Sequence, residues 1–264
     1  DETLFSRYVR HMTILGMREK DYLKRLLNKP RASIHPYLTI GITKASLISE
    51  ENPLKIYTEQ TLGRFFSYFM PHRATDIYRS MLADDGNLAF RACQLVSFKE
   101  SEDLSLKYCP ICAKEDMSSY GVSYWHLTHQ VPGVEACPSH KVWLIHHKLP
   151  ERPHLKLQLL PITSDEAQIC SELSYEFARF IDEFLRRTAV TNDSFDQNHL
   201  LKRIQERGYT LGEKRFKRVE LTSDLFNFIK GLKHNDPNLL PFSEDDYRYL
   251  SYLLSGEVSQ HPFK

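Results

Sequence analysis

Two short motifs with cysteine and histidine at matching spacing constrain this chain more than any other feature. The first, C-P-I-C, contains Cys109 and Cys112, and the second, C-P-S-H, contains Cys137 and His140. Each spacing lets two side chains reach one metal ion from a single tight turn, and the proline after the first ligand restricts that turn. Four such donors complete a closed tetrahedral site. The sequence therefore predicts a structural Zn²⁺ ion bound by Cys109, Cys112, Cys137 and His140.

Other uses of these cysteines fit the sequence less well. A redox C-x-x-C pair is expected beside a βαβ pattern, and no such pattern is visible. Five cysteines in 264 residues are too few for a disulfide framework, and their number is odd. Ordinary buried thiols remain an alternative, and this is the expectation for Cys93 and Cys170. Four further histidines lie close enough to compete for the fourth position, and a structural or surface role is expected for each: His126, His129, His146 and His147.

Several motifs typical of enzymes are missing from the sequence, although spacing alone does not exclude an acyl-transfer triad. A catalytic zinc keeps one position open for water, whereas all four positions can be filled by local side chains here, and H-E-x-x-H does not occur. The nucleobase deaminase signature is also absent, because no His-x-Glu precedes Cys109. Neither a nucleotide-binding G-x-x-x-x-G-K-[ST] loop nor a nucleophile elbow is present. The sequence predicts a protein that is not an enzyme, with a zinc-dependent nuclease as a less favoured alternative.

Charge and hydropathy limit which classes of protein remain possible. The 35 basic and 34 acidic residues give a net charge of +1, so any nucleic-acid binding must come from a local basic patch. No apolar run approaches the roughly 18 residues of a membrane span, and no secretory segment opens the chain. Thiolate zinc ligands fit a reducing compartment. We expect a cytoplasmic protein without a membrane segment.

The N-terminal hundred residues show a helical pattern. Residues 3–15 carry apolar side chains at helical spacing, with Thr3 or Asp1 as the candidate cap, Leu15 facing inward and Gly16 at the end. A second helix follows over residues 19–28, so the pair predicts a helix-turn-helix, or the more common helical hairpin. Further helices are predicted over 58–70 and 73–83, and a helix or strand over 88–96.

The C-terminal region is also predicted to be helical. A helix start at Thr163–Glu166 precedes a stripe ending near Arg187, whose apolar members are Ile169, Leu173, Phe177, Phe180 and Phe184. A helix over 198–207, a glycine turn and a helix capped by Thr222 or Ser223 form a second candidate helix-turn-helix or winged element, and a last helix covers 243–255. Residues 196–219 have seven basic and three acidic side chains. The basic ones are candidate DNA-binding residues, with a solvated loop as the alternative: Lys202, Arg203, Arg207, Lys214, Arg215, Lys217 and Arg218.

The motifs resemble a known family. Y-C-P-I-C, then Y-G-V-S-Y-W-H-L-T-H-Q-V-P-G-V and C-P-S-H-K-V-W-L, are similar to the zinc-finger core of the TniQ/TnsD family, and the opening D-E-T-L-F-S-R-Y-V-R-H-M-T-I-L-G is similar to its N-terminal segment. The resemblance implies target-site selection for transposons, contact with double-stranded DNA or a guide complex, and recruitment of a TnsC-like AAA+ ATPase. One branch partners an RNA-guided surveillance complex; the helical C-terminal region favours the TnsD-like branch. TnsD-type relatives continue further, so we expect an N-terminal portion.

Together these observations predict a mainly α fold in which helical domains with helix-turn-helix elements flank a small zinc-finger β-element. The domains are a helical one over 1–100, the zinc-finger module over 101–150 and a second helical one over 151–264. Short strands are expected at 122–125 and 143–145, with Trp125 and Trp143 as packing residues. The predicted function is a non-enzymatic adaptor for DNA transposition. The alternative is a zinc-containing transcription regulator.

Overall fold

The chain is mainly helical. A computed structural model describes residues 1–32, 34–83, 85–93, 105–149, 155–211, 215–233, 243–246, 250 and 254. Within these residues there are eleven α-helices and a two-stranded antiparallel sheet, which confirms the predicted mainly α fold class with a small β-element. No helix in the described residues combines the length and the apolar character needed to cross a membrane.

The first two helices form where the sequence predicts them. Helix α1 (Leu4–Ile14) begins at Thr3, whose hydroxyl accepts the N–H of Ser6 at 3.1 Å. Helix α2 (Glu19–Leu27) ends at Asn28, which adopts a left-handed conformation with φ +55°. Leu15, predicted to face inward, is 43% exposed because α1 ends at the preceding residue.

Five short helices follow: α3 (Ile42–Ser49), α4 (Pro53–Gln60), α5 (Gly63–Phe69), α6 (Ala74–Leu82) and α7 (Gly86–Ala92). The single helix predicted over 58–70 is wrong, because the chain breaks at Thr61, whose backbone is extended. A Cβ atom on Gly63 would lie 2.2 Å from the ring of Tyr57, so the close approach of α4 and α5 requires glycine. The end of the element predicted over 88–96 lies outside the described residues.

The metal-binding motifs lie between two paired strands. β1 (Ser105–Tyr108) precedes the first motif and pairs antiparallel with β2 (Ile145–Lys148), which follows the second, so that Lys107 lies opposite His146. Helix α8 (Pro110–Tyr120) begins within the first motif. The strand predicted at 122–125 is not found, and the next residue, His126, forms only an isolated bridge with Glu2. Of the strand predicted at 143–145, Trp143 forms an isolated bridge with Ala136 and Ile145 begins β2. The strands that pair in this β-element therefore cannot be identified from the alternation of polar and apolar residues alone.

The long C-terminal helix starts later than predicted. Helix α9 (Glu172–Val190) is capped by Ser171, and residues 163–166 are not helical. Ile169, placed on the buried stripe by its spacing, is 82% exposed because it lies in an extended segment that bridges to Val142. Phe180 is also exposed, whereas Ala178 and Ile181 are buried. The buried face of α9 is therefore rotated from the predicted stripe.

Two more helices close the described chain. Helix α10 (Gln197–Glu206) begins at Asp196 and is followed by Gly208 with φ +82°, in agreement with the sequence. Helix α11 (Arg218–Ile229) begins before the predicted caps, Thr222 and Ser223, and Thr222 is buried within the helix. Most of the last predicted helix, 243–255, lies outside the described residues.

Buried side chains group into two clusters. One extends from Leu4 to Ile181 and includes the first seven helices, the metal-binding region and α9; the other contains Ile204, Leu250 and Leu254. The division between the clusters falls between α9 and α10. The predicted division into domains at residues 100 and 150 stays a prediction.

Candidate metal centre

The first motif forms the N-terminus of α8. Cys109 is the cap residue, its sulfur accepts the N–H of Cys112 at 3.4 Å, and Pro110 occupies the first helical position. Pro is favoured there because its missing N–H is not needed, and its φ is already helical. The helix N-terminus also favours negative charge, and thiolates are the form in which cysteine binds metals. The local fold thus presents two sulfurs at a site that stabilises anions.

The second motif forms the tip of a tight turn. Cys137 donates its N–H to the carbonyl of Val142 at 2.9 Å, and Lys141 donates back to the carbonyl of Cys137 at 3.2 Å. Lys141 has φ +55°, which closes the turn after His140. The antiparallel bridge between Ala136 and Trp143 continues this hairpin. The turn directs both potential ligands of the second motif toward those of the first.

The four predicted ligands come together. The sulfur of Cys112 lies 3.6 Å from that of Cys137, and Nδ1 of His140 lies 3.6, 3.3 and 3.5 Å from the sulfurs of Cys109, Cys112 and Cys137. All four ligand atoms lie within 4.8 Å of one another. A tetrahedral zinc ion has S···S and S···N edges of about 3.8 and 3.6 Å. The donor set and its dimensions fit a Zn²⁺ ion, and among the described residues only these four form such a group.

A carboxylate lies behind the histidine. Nδ1 of His140 faces the sulfurs, whereas Nε2 lies 3.1 Å from Oε2 of Glu115 on α8. Metal-binding histidines commonly donate their second N–H to a carboxylate, which fixes the ring and its tautomer. The position of Glu115 therefore supports metal binding through Nδ1. This pair depends on the path of α8, so spacing along the chain does not predict it.

The thiols influence one another's ionisation. Hydrogen bonds from Cys112 and Cys137 lower the pKa of Cys109, whereas the hydrogen bond with Cys109 raises the pKa of Cys112. A separate hydrogen bond between Cys109 and Cys137 raises the pKa of Cys137 to about 12. Three thiolates so close together repel one another, which restricts the ionisation of all three at once. A divalent cation removes this restriction, and its binding is coupled to proton release.

The other histidines have separate roles. His126 is held between carboxylate oxygens of Asp1 and Asp116, each 2.9 Å away. His129 is buried, and burial lowers its pKa well below the usual value. His146 contacts Glu135 at 2.5 Å and Ser105 at 3.0 Å, and His147 is exposed. The expectation of structural or surface roles agrees with these positions.

A buried lysine next to the metal motif was missed by the sequence analysis. Nζ of Lys107 donates to the carbonyls of Val131 at 2.8 Å and Val134 at 2.6 Å, and lies 3.9 Å from Glu135. Burial lowers the pKa of Lys107 to about 8, against the opposing effect of Glu135. The amide of Gln130 binds both the N–H and the carbonyl of Lys107. These contacts fix the loop between the two motifs, and a single sequence carries no signal for them.

Packing roles are found for both tryptophans. Trp125 is 1% exposed and donates its indole N–H to the carbonyl of Leu159 at 2.9 Å. Trp143 is partly buried against the main cluster, and Nζ of Lys233 lies 4.8 Å from its ring centroid. Neither ring is presented as a free stacking platform for a nucleic-acid base.

The candidate DNA-binding residues lie on and around a short hairpin between α10 and α11. Thr210 and Phe216 form an antiparallel bridge, supported by hydrogen bonds from Leu211 to Arg215 and from Lys217 to Tyr209. The helix-turn-helix or winged element predicted for this region stays a prediction. Lys202, Arg207, Arg215 and Arg218 are exposed without an ion pair to a described residue. Two others pair with nearby glutamates, Arg203 with Glu206 and Lys217 with Glu220, and Lys214 lies outside the described residues.

Comparison with known proteins gives one family. The sequence model of the family TniQ matches residues 1–144, which is more than half of the 264-residue chain. No curated protein matches the chain. The matched range contains both metal motifs and the N-terminal helices that pack against them.

Proposed function

The chain belongs to the TniQ family of transposition-associated proteins, and we propose that it is a non-enzymatic adaptor that selects the target site for DNA transposition. In this role it binds double-stranded DNA and recruits a TnsC-like AAA+ ATPase regulator, which brings the transposase. The observation that carries the proposal is the family match, because it encloses all four residues of the metal centre. The zinc ion serves structurally, holding β1, α8 and the hairpin of the second motif together.

DNA contact is assigned to the hairpin between α10 and α11. The basic side chains on and beside this hairpin that have no ion pair with a described residue suit phosphate groups, and such contacts weaken as salt rises. The test is a triple variant, Lys202→Glu, Arg215→Glu and Arg218→Glu, in a filter-binding titration with duplex DNA. The matched control reverses three exposed basic residues elsewhere: Lys44→Glu, Lys55→Glu and Arg79→Glu. The hairpin variant is expected to lose DNA retention at moderate salt while the control retains it. Equal retention by both variants would remove the hairpin from the proposal.

Recruitment of the ATPase separates the adaptor from its main alternative. A zinc-containing transcription regulator binds DNA but has no reason to associate with a transposition ATPase. We therefore expect the full chain to co-purify with the AAA+ protein encoded beside it when ATP and DNA are present. A chain that binds DNA but does not capture the ATPase under these conditions supports the regulator instead.

The TnsD-like branch is the proposed subdivision of the family. Proteins of this branch read a fixed attachment site, so the purified chain should protect one DNA segment from nuclease without any guide RNA. Protection that requires a guide complex supports the RNA-guided branch. We also propose a cytoplasmic location, because the thiolate ligands require a reducing compartment.

A nuclease is the less favoured alternative. Of the two histidines nearest the first motif, His126 lies within hydrogen-bond distance of two aspartates, and His129 is buried. Metal-dependent cleavage of plasmid DNA that disappears in His126→Ala, with the fold retained, would favour the nuclease over the adaptor.

A further inference from the structure

A second basic surface lies on α2 and the turn that follows it. We name it the α2 surface; its basic members are Arg18, Lys20, Lys24, Arg25, Lys29 and Arg31. Only Glu19 and Asp21 are acidic between residues 18 and 31, so these fourteen residues have a net charge of +4. The hairpin region reaches the same net charge over the 24 residues 196–219. Positive charge is therefore more concentrated on the α2 surface.

The α2 surface differs from α1 in how its basic side chains are paired. Arg7 pairs with Glu51 at 2.6 Å, and Arg10 pairs with Glu2 at 2.7 Å, so both are committed to contacts within the fold. On α2, Lys20, Lys24 and Arg25 are exposed and have no ion pair with a described residue. Arg18 pairs with Asp21, but both are exposed, and such pairs contribute little. The charges on α2 therefore remain available to a ligand.

The opposite face of α2 is firmly packed. Tyr22, Leu23, Leu26 and Leu27 are buried in the main cluster. The hydroxyl of Tyr22 lies 3.1 Å from Nδ1 of His11, and its ring packs edge-on against that of Tyr8. The helix is thus fixed to α1, and its basic side chains project from a rigid support. Binding to such a surface does not require ordering of the backbone.

We propose that the α2 surface binds the phosphate backbone of double-stranded DNA, as a contact separate from the hairpin between α10 and α11. The proposal rests on the proposed function for the choice of DNA as the ligand. Duplex DNA carries one negative charge per roughly 1.7 Å of its axis, which matches a short, dense row of cations. Protein interfaces have an apolar centre, whereas no large apolar side chain is exposed between Arg18 and Arg31. Phosphate is therefore the better match than a protein partner.

The test measures how DNA affinity depends on salt. The α2 variant carries Lys20→Gln, Lys24→Gln and Arg25→Gln, which neutralise charge without introducing repulsion in the last turn of the helix. The hairpin variant carries Lys202→Gln, Arg215→Gln and Arg218→Gln, and the control carries Lys44→Gln, Lys55→Gln and Arg79→Gln. All three lose the same net charge. Zinc content and far-UV circular dichroism establish that each variant is folded.

Each lost phosphate contact should reduce the slope of log K against log salt by about 0.9, so the α2 variant should show a slope shallower by about 2.7. Its affinity at 0.1 M salt should fall at least ~10-fold, and the control should stay close to the wild type. If the α2 variant matches the control while the hairpin variant loses affinity, the α2 proposal is overturned and the proposed function stands. If only the α2 variant loses affinity, the α2 proposal holds and the hairpin assignment fails.

Discussion

Thr3 donates its backbone N–H to the carbonyl of Trp125 at 2.9 Å, which joins the start of α1 to the loop between the two metal motifs. Two further hydrogen bonds lie beside it, from Trp125 to the hydroxyl of Ser6 at 3.1 Å and from Leu127 to the carbonyl of Asp1 at 2.8 Å. The two segments that resemble the family at separate points of the sequence therefore form one packed unit. The N-terminal helix and the metal centre should gain and lose structure together.

The substitution Ser6→Ala tests this junction. It removes the acceptor of the Trp125 N–H in a fully buried position, so the free energy of unfolding should fall by about 1–3 kcal/mol. Urea denaturation of the zinc-loaded protein measures the change. Thr43→Ala is the matched control, because its hydroxyl binds the carbonyl of Leu82 from an exposed position. Equal losses of unfolding free energy in both variants would show that the buried hydrogen bond between Ser6 and Trp125 stabilises the protein no more than an exposed one.

Metal content should depend on the second motif. Cys137→Ser removes one of the four donors and is expected to reduce zinc from one ion per chain to a small fraction, with loss of cooperative thermal unfolding in the finger region. Cys170→Ser changes a buried cysteine that is not among the four candidate ligands, so this variant should retain the ion. Elemental analysis of dialysed protein measures both. Retention of stoichiometric zinc by Cys137→Ser would contradict the ligand assignment.

Arg64 links α5 to the end of α9. Its guanidinium donates to the carbonyls of Thr188, Thr191 and Asp193 at 3.0, 2.9 and 2.5 Å. These carbonyls follow the last helical hydrogen bonds and otherwise need water. Arg64→Met should therefore destabilise the protein by about 1–3 kcal/mol and speed amide hydrogen exchange in residues 188–195. Arg79→Met, at an exposed position, should leave that exchange unchanged. Unaltered exchange in both would argue against the link.

Acid should destabilise the fold through His35. Burial lowers the pKa of this histidine to about 3, against 6.5 for the free side chain. Between these values the unfolded chain binds one more proton than the folded chain, so stability falls as pH decreases below 6.5. The contribution of this group at pH 5 is a loss of about 2 kcal/mol relative to pH 7.

The variant His35→Asn isolates that effect. Its amide oxygen replaces Nδ1, which accepts the N–H of Leu38 at 3.4 Å, but it does not titrate. Its stability at pH 7 should be lower, because the ring contact with Tyr37 is lost. The fall in stability from pH 7 to pH 5 should nevertheless be smaller than in the wild type by about 2 kcal/mol. Urea midpoints at the two pH values decide the question; an identical fall in both proteins would contradict the assignment.

Local chemistry was predictable wherever it depended on neighbouring residues. The cap at Thr3, the helix ends at Gly16 and Gly208, and the buried face of α2 follow from spacing and from backbone preference. The close approach of the four candidate metal ligands follows from two motifs in which each pair of side chains shares a turn. The resemblance of these motifs to the TniQ/TnsD family added a predicted function, and the family model that matches residues 1–144 supports the family.

Contacts between distant segments were not predictable. The break at Thr61 depends on how closely Gly63 approaches Tyr57, and the exposure of Ile169 depends on its bridge to Val142. The burial of Lys107 requires carbonyls from a loop more than twenty residues away. In each case the periodic pattern defines a possible apolar or polar face but does not identify the segment that covers it.

The sequence by itself determined which four side chains form the candidate metal centre, because two tight turns limit where their own side chains can go. Tertiary structure decided which helices support that centre and which arginines form ion pairs within the fold. It also decided which basic side chains of α2 remain exposed to a ligand. The physical reason is that charge pairing and burial depend on distance in space. That distance is set by the packing of the whole chain, and spacing along the sequence does not record it.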